Sequence, residues 1–218
     1  MQPCIAPLPQ RSNALSPEQI KDRIMPRIFS SVHQAERIRN LITVPLAADL
    51  VLCFYADVSD LLQPGEDISA YIPIDSDLAH TLGLSVEDLI TLGKAHASST
   101  YRVQSMSEVM SDLFGIPEGI GASAPPMYVV GCRDIRYGAA AVLDAGVRAK
   151  LDKCCPEGYF LLPSSVHEML AVPKQSAEPE VLVQMVTEIN RTGDVVTPEE
   201  VLSDHVFSVE AGMLVAVI

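Results

Sequence analysis

The string Ser164-Ser165-Val166-His167-Glu168 sets an imidazole beside two hydroxyls and a carboxylate, the side chains from which general-base or nucleophilic catalysis is assembled. A hydrolase built here would use Ser165 as nucleophile, or the more distant Cys132, with His167 as base. Cys132 follows Gly131 and precedes Arg133, a cation of the kind that favours thiolate. Two points weigh against such a triad. If Val166 to Val172 is a strand, His167 and Glu168 point to opposite faces, so Glu168 does not orient its neighbour. Ser165 shares a face with His167 but lacks the flanking glycines of a nucleophile elbow. The plainer reading makes Pro163-Ser164-Ser165 a bend whose hydroxyls, with the imidazole, satisfy backbone groups. Ser164, Ser165, His167 and Glu168 are then a candidate binding set instead of a catalytic one.

Other chemistries find less support. Cys154-Cys155 lacks the spacing of a CxxC redox or zinc site. His80, His96 and His205, with Asp75, Asp77 and Asp204, are too scattered for a metal site to be read from spacing, so no metal and no cofactor are expected. Gly115 to Gly121 has neither GxGxxG nor the Lys-Ser/Thr end of a phosphate loop. The acidic blocks lack EF-hand spacing and read as solvated edges and helix starts.

The elements that must position these residues belong to a globular chain. Of its 218 residues, 48% are hydrophobic and 20% charged, a balance that excludes a largely disordered protein. The net charge of −13, with no tryptophan and 5% aromatic residues, argues against nucleic acid as a partner. Residues 1 to 40 carry net +3, leaving −16 for the remainder, with Arg27, Arg37 and Arg39 beside Glu36 and His33 in a helical stretch; the asymmetry fits a steered partner and a solvated helix face equally well. The N-terminus has no secretory signal pattern. The apolar stretch Leu41 to Val58 contains Pro45, Asp49 and Asp57, so it reads as a buried strand with its approach, and no membrane partner is expected. Five cysteines, two of them adjacent, fit reduced thiols in a cytoplasm better than a disulfide framework.

Residues 1–16 read as a leader. Ser16-Pro17 opens a helix in which Ile20, Ile24 and Ile28 recur at spacing four, broken or kinked at Pro26, and a second helical stretch runs to about Asn40. Leu50 to Val58 is an internal strand, Gln63 to Asp67 a turn, and Ser69 to Ile74 the returning partner. Asp75 starts a short helix closed by Gly83, Ser85 starts a longer one, and Ser105 to Phe114 a third. A Gly/Pro segment, 116–126, separates lobes of 17–115 and 127–218. In the second lobe Met127 to Cys132 and Tyr137 to Leu143 read as a hairpin about Arg133-Asp134. Asp144 caps a helix, and Tyr159 to Leu162 pairs with Val166 to Val172. Pro179 opens a helix, Thr197-Pro198 a single turn, and Val206 to Val217 a closing hairpin.

Five segments also carry a likeness: Lys21-Asp22-Arg23-Ile24, Asp49-Leu50, Gly138 to Leu143, Leu162 to Glu168, and Pro198 to Asp204. Through them the chain, over roughly Pro17 to Phe207, resembles an uncharacterised family of bacterial proteins, many from gut anaerobes, grouped as a domain of unknown function. The resemblance implies an α+β fold and supplies no activity, catalytic residue or cofactor. It also implies a further N-terminal region in other members, which this chain reads as lacking. The resulting expectation is an α+β fold with antiparallel sheet built from hairpins and helices mainly on one face. The expected function is a non-catalytic cytoplasmic binding or interaction module with a protein or small-molecule partner. The alternatives are the hydrolase of Ser165 or Cys132 with His167, and a homo-oligomer joined through strand edges.

Overall fold

A computed structural model of the chain describes residues 15–62, 69–115, 126–133 and 136–217. The fold is α+β. One antiparallel sheet holds β1 (Ile24–Ser30), β2 (Val44–Ala47), β3 (Leu50–Asp57) and β4 (Tyr71–Pro73), with β1 along one edge of β3 and β2 and β4 along the other. A second holds β5 (Tyr101–Ser105), β6 (Tyr128–Cys132), β7 (Tyr159–Ser165), β8 (Glu168–Pro173), β9 (Phe207–Glu210) and β10 (Met213–Ala216), in the order β10-β9-β7-β8-β6-β5. The helices are α1 (Pro17–Lys21), α2 (Ala35–Ile38), α3 (Ser59–Leu62), α4 (Ser76–Leu82), α5 (Val86–Ala97), α6 (Met106–Phe114), α7 (Ala145–Cys154) and α8 (Pro179–Thr192), with 3-10 turns at Gly138–Leu143 and Lys174–Ser176.

Helices announced by capping chemistry form where that chemistry stands. Ser16, Ser85 and Ser105 each close a capping box, Asp75 and Asp144 each accept an N–H of the first turn, and Gly83, Gly115 and Gly193 end their helices in the left-handed conformation. The strand from Leu50, its partner after Ser69 and the closing hairpin also form.

Five readings are corrected. The helix through Ile24 and Ile28 is instead strand β1, because spacing four satisfies a strand face as well as a helix face, and β1 is buried on both sides. Pro26 is tolerated there because, among the described residues, β1 is an edge strand paired with β3 alone. The second helical stretch shrinks to the single turn α2. Tyr137 to Leu143 is not a strand: it is a turn followed by the 3-10 segment, and β6 pairs with β5 and β8 instead. Gly138 explains this, since a Cβ there would lie 2.4 Å from the Cys132 amide nitrogen and 2.8 Å from the His167 carbonyl oxygen. The bend after β7 is Val166-His167, not Pro163 to Ser165, which belong to the strand with a register shift between Pro163 and Ser165. Thr197 to Val201 is a hydrogen-bonded turn on the Thr197 carbonyl, without the regular helix expected. The expected leader up to residue 14, the turn over residues 63–67 and residues 116–125 of the Gly/Pro segment lie outside the described residues.

One apolar cluster draws on both sheets, joining Ile24, Phe29, Leu50 and Phe54 to Val130, Leu161, Met169 and Phe207. The 3-10 segment packs on β1 and on β6 and β8, and its Ala139-Ala140-Ala141 are fully buried or nearly so. On β7, Phe160 and Leu162 turn the other way and pack with Leu182 and Val186 of α8, the alternation expected of a strand covered on both faces.

Candidate functional site

The β7–β8 hairpin holds Ser164, Ser165, His167 and Glu168, Cys132 ends β6, and each has a local partner. Ser165, 8% exposed, accepts the His167 backbone N–H on its Oγ at 3.1 Å. The Ser164 hydroxyl donates to Glu168 Oε1 at 3.4 Å. His167 Nδ1 accepts the Tyr137 backbone N–H at 3.0 Å, and Nε2 lies 3.2 Å from Glu200 Oε1. An accepting Nδ1 assigns the ring proton to Nε2, which donates to the carboxylate. The Cys132 thiol donates to the Arg136 carbonyl at 3.1 Å. Among the described residues no hydrogen bond joins Ser165 Oγ or Cys132 Sγ to the imidazole, whose two nitrogens are engaged elsewhere.

Glu200 completes this brace. It accepts the Thr197 hydroxyl at 2.9 Å, and its own carbonyl accepts the Val166 N–H. The Thr197 hydroxyl, then His167, holds its carboxyl below the usual range. The same segment is tied to the first sheet: Asp49 accepts the hydroxyls of Ser30 at 2.8 Å and Ser203 at 2.6 Å, and Gln34 donates to the Glu199 and Val201 carbonyls. His205 sits by this pair, with Nδ1 3.5 Å from Asp49 Oδ1.

What the brace positions is Tyr137. Its backbone is left-handed, φ 54°, a strained state for a bulky residue that persists only where its surroundings impose it. Its ring rests against those of Phe29, Tyr71 and His167, with centroids at 6.0, 6.0 and 5.3 Å, and its hydroxyl accepts from Arg37 at 2.7 Å. Beneath it lies Arg27 of β1, 4% exposed, whose guanidinium carbon is 3.8 Å from the ring centres of Tyr71 and Tyr137 and 4.4 Å from that of Tyr55. Such contacts contribute roughly 1 to 2 kcal/mol each when desolvated, against an effective cost of several kcal/mol for burying one charge. Burial lowers the Arg27 pKa. Among the described residues this guanidinium forms no hydrogen bond.

Arg27, Tyr71 and Tyr137 wall a cleft of about 270 Å³, together with Arg23, Arg136 and Tyr101. Cys132 and His96 also border it, the latter with Nδ1 3.1 Å from the Ile24 carbonyl oxygen. Arg23 pairs with Asp60 at 3.0 Å, whereas among the described residues Arg136 donates to the neutral Ser69 hydroxyl at 2.8 Å. The Tyr101 hydroxyl is buried without a partner among the described residues, and burial raises its pKa. Among those residues no group of three or more His, Cys, Asp or Glu side chains converges to hold a metal ion, and no helix is long and apolar enough to cross a membrane.

A family model described as a family of unknown function, DUF5688, matches residues 8–209. The chain belongs to this family. No curated protein and no solved structure matches it. The DUF5688 match covers the brace, the turn and every cleft residue named above. The sequence alone does not mark Arg27 as a site residue, because it falls in the stretch read there as helical and charged. The available signal was its position inside Ile24-Met25-Pro26-Arg27-Ile28-Phe29, where an isolated cation in an apolar run marks a buried charge needing a partner.

Proposed function

We propose that this member of DUF5688 is a cytoplasmic, non-catalytic binding module that receives a small molecule in the cleft between Arg27, Tyr71 and Tyr137. The observation that carries this reading is the strained Tyr137 backbone, held by His167 and, through it, by Glu200. A buried polar network that holds one aromatic side chain over a cleft supports preorganisation for a ligand. Ser164, Ser165, His167 and Glu168 then serve binding at one remove, by fixing the turn on which Tyr137 rests. The charge of −13 supports a partner other than nucleic acid. A thermal-shift screen of small metabolites tests the proposal. The expected hit raises the melting temperature of the wild-type chain and not of Tyr71→Ala. Hits indifferent to Tyr71→Ala and abolished by Ser165→Ala, or consumed during incubation, would favour the hydrolase of Ser165 or Cys132 with His167.

A further inference from the structure

We infer that the cleft takes an oxyanion, the carboxylate or phosphate of its ligand, on the N–H edge of Arg27, with Arg136 as a second cation. This rests on the binding reading above and adds the ligand's chemistry. A guanidinium presents five N–H donors in its plane, a fork matched to carboxylate and phosphate oxygens. The three tyrosines at 3.8, 3.8 and 4.4 Å offer ring faces, which attract the cation without accepting its N–H groups, and among the described residues the guanidinium forms no hydrogen bond. The residue is 96% buried and lines the cleft, so the cleft is the side from which an acceptor can arrive.

The neighbouring charges point the same way. Asp60 answers Arg23, and Asp57, also on the cleft, accepts the Ser59 N–H and hydroxyl. Arg136 meets a neutral hydroxyl, and Arg37 donates to the Tyr137 hydroxyl and lies 5.4 Å from that ring's centre. Three arginines thus gather around Tyr137 in a chain of net charge −13, and among the described residues Asp22 is the other carboxylate on the cleft wall. A volume of about 270 Å³ fits a small molecule and not a polymer.

The test follows the Arg27 Nε–H resonance of the full chain during titration with sodium phosphate and, separately, sodium acetate, each against sodium chloride at matched ionic strength. A saturable shift with phosphate assigns a phosphoryl ligand, and one with acetate a carboxylate. Arg136→Gln, a surface change that leaves the fold intact, should weaken the response about threefold or more, and Arg27→Lys should abolish it. Shifts no larger than those of chloride, or a response unaltered in Arg136→Gln, would overturn the inference. Neutral compounds that perturb Tyr71 and Tyr137 while neither anion does would remove the anion and leave the binding module standing.

Discussion

At the scale of single residues, His167 is a hinge pin between two partners. Replacing it with alanine orphans the Tyr137 N–H and removes one of the two side-chain donors to the Glu200 carboxylate, and should lower stability by about 1 to 3 kcal/mol in chemical denaturation. No labelling of Ser165 or Cys132 by serine- or cysteine-directed probes is expected in either form. Near-normal stability together with probe labelling that disappears in His167→Ala would mean that the imidazole works as a base. Glu200 adds a pH signature. The Thr197 hydroxyl, then His167, lowers its folded-state pKa, so its stabilisation is complete above the unfolded value and is lost as pH falls through the folded one. Glu200→Gln should therefore flatten the acid limb of the stability profile below about pH 4.5 and leave the limb above pH 7 unchanged. An unchanged acid limb would contradict the brace. The sequence identified His167 and its turn as the place to look, because hydroxyl, imidazole and carboxylate cluster there. It hid Arg27, since a lone arginine has the same letter in a solvated helix and in an aromatic box.

At the scale of elements, Gly138 decides whether the segment after Tyr137 lies close under the hairpin turn. Gly138→Ala would press a methyl group onto the Cys132 amide and the His167 carbonyl, both backbone atoms unable to move aside. Overpacking of this kind typically costs about 1 to 3 kcal/mol, and amide exchange should quicken in β6 and the 3-10 segment. A variant as stable as wild type would show that the close approach is not required. Elements were legible wherever an end carried its own chemistry, as with Asp75 to Gly83, where a carboxylate cap and a left-handed glycine bracket the helix. They were illegible where burial is all-round. Ile24 to Ser30 and Gly138 to Leu143 are buried almost throughout, so neither strand nor helix periodicity survives in the pattern of apolar residues. β5 went unread because each of its five residues is only half-buried.

At the scale of the whole molecule, the two sheets share one core and are cross-tied by Asp49, whose side chain is 10% exposed between Ser30 and Ser203. Asp49→Ala should cost about 3 kcal/mol or more, since it loses two bonds to a charged acceptor worth roughly 1.5 to 3 kcal/mol each. Unfolding should nevertheless remain a single transition by circular dichroism and by tyrosine fluorescence. Two separated transitions would mean that the sheets unfold independently. The α+β class was legible from alternating helix caps and β-branched runs. The pairing of β5 and β6 with β8, and with it the approach of Tyr137 to Arg27, depends on contacts between residues far apart in the chain, which no local pattern encodes. The central claim is that ligand binding occurs at the Arg27 cleft, with the hairpin turn as its support. An amide shift map of the full chain, titrated with whichever of phosphate or acetate moves Arg27, tests it most directly. The largest changes should fall at Tyr71, Tyr101, Arg136 and Tyr137, with smaller ones relayed to His167. Changes centred on Ser164, Ser165 and Glu168, with Tyr71 and Tyr101 unmoved, would contradict the account.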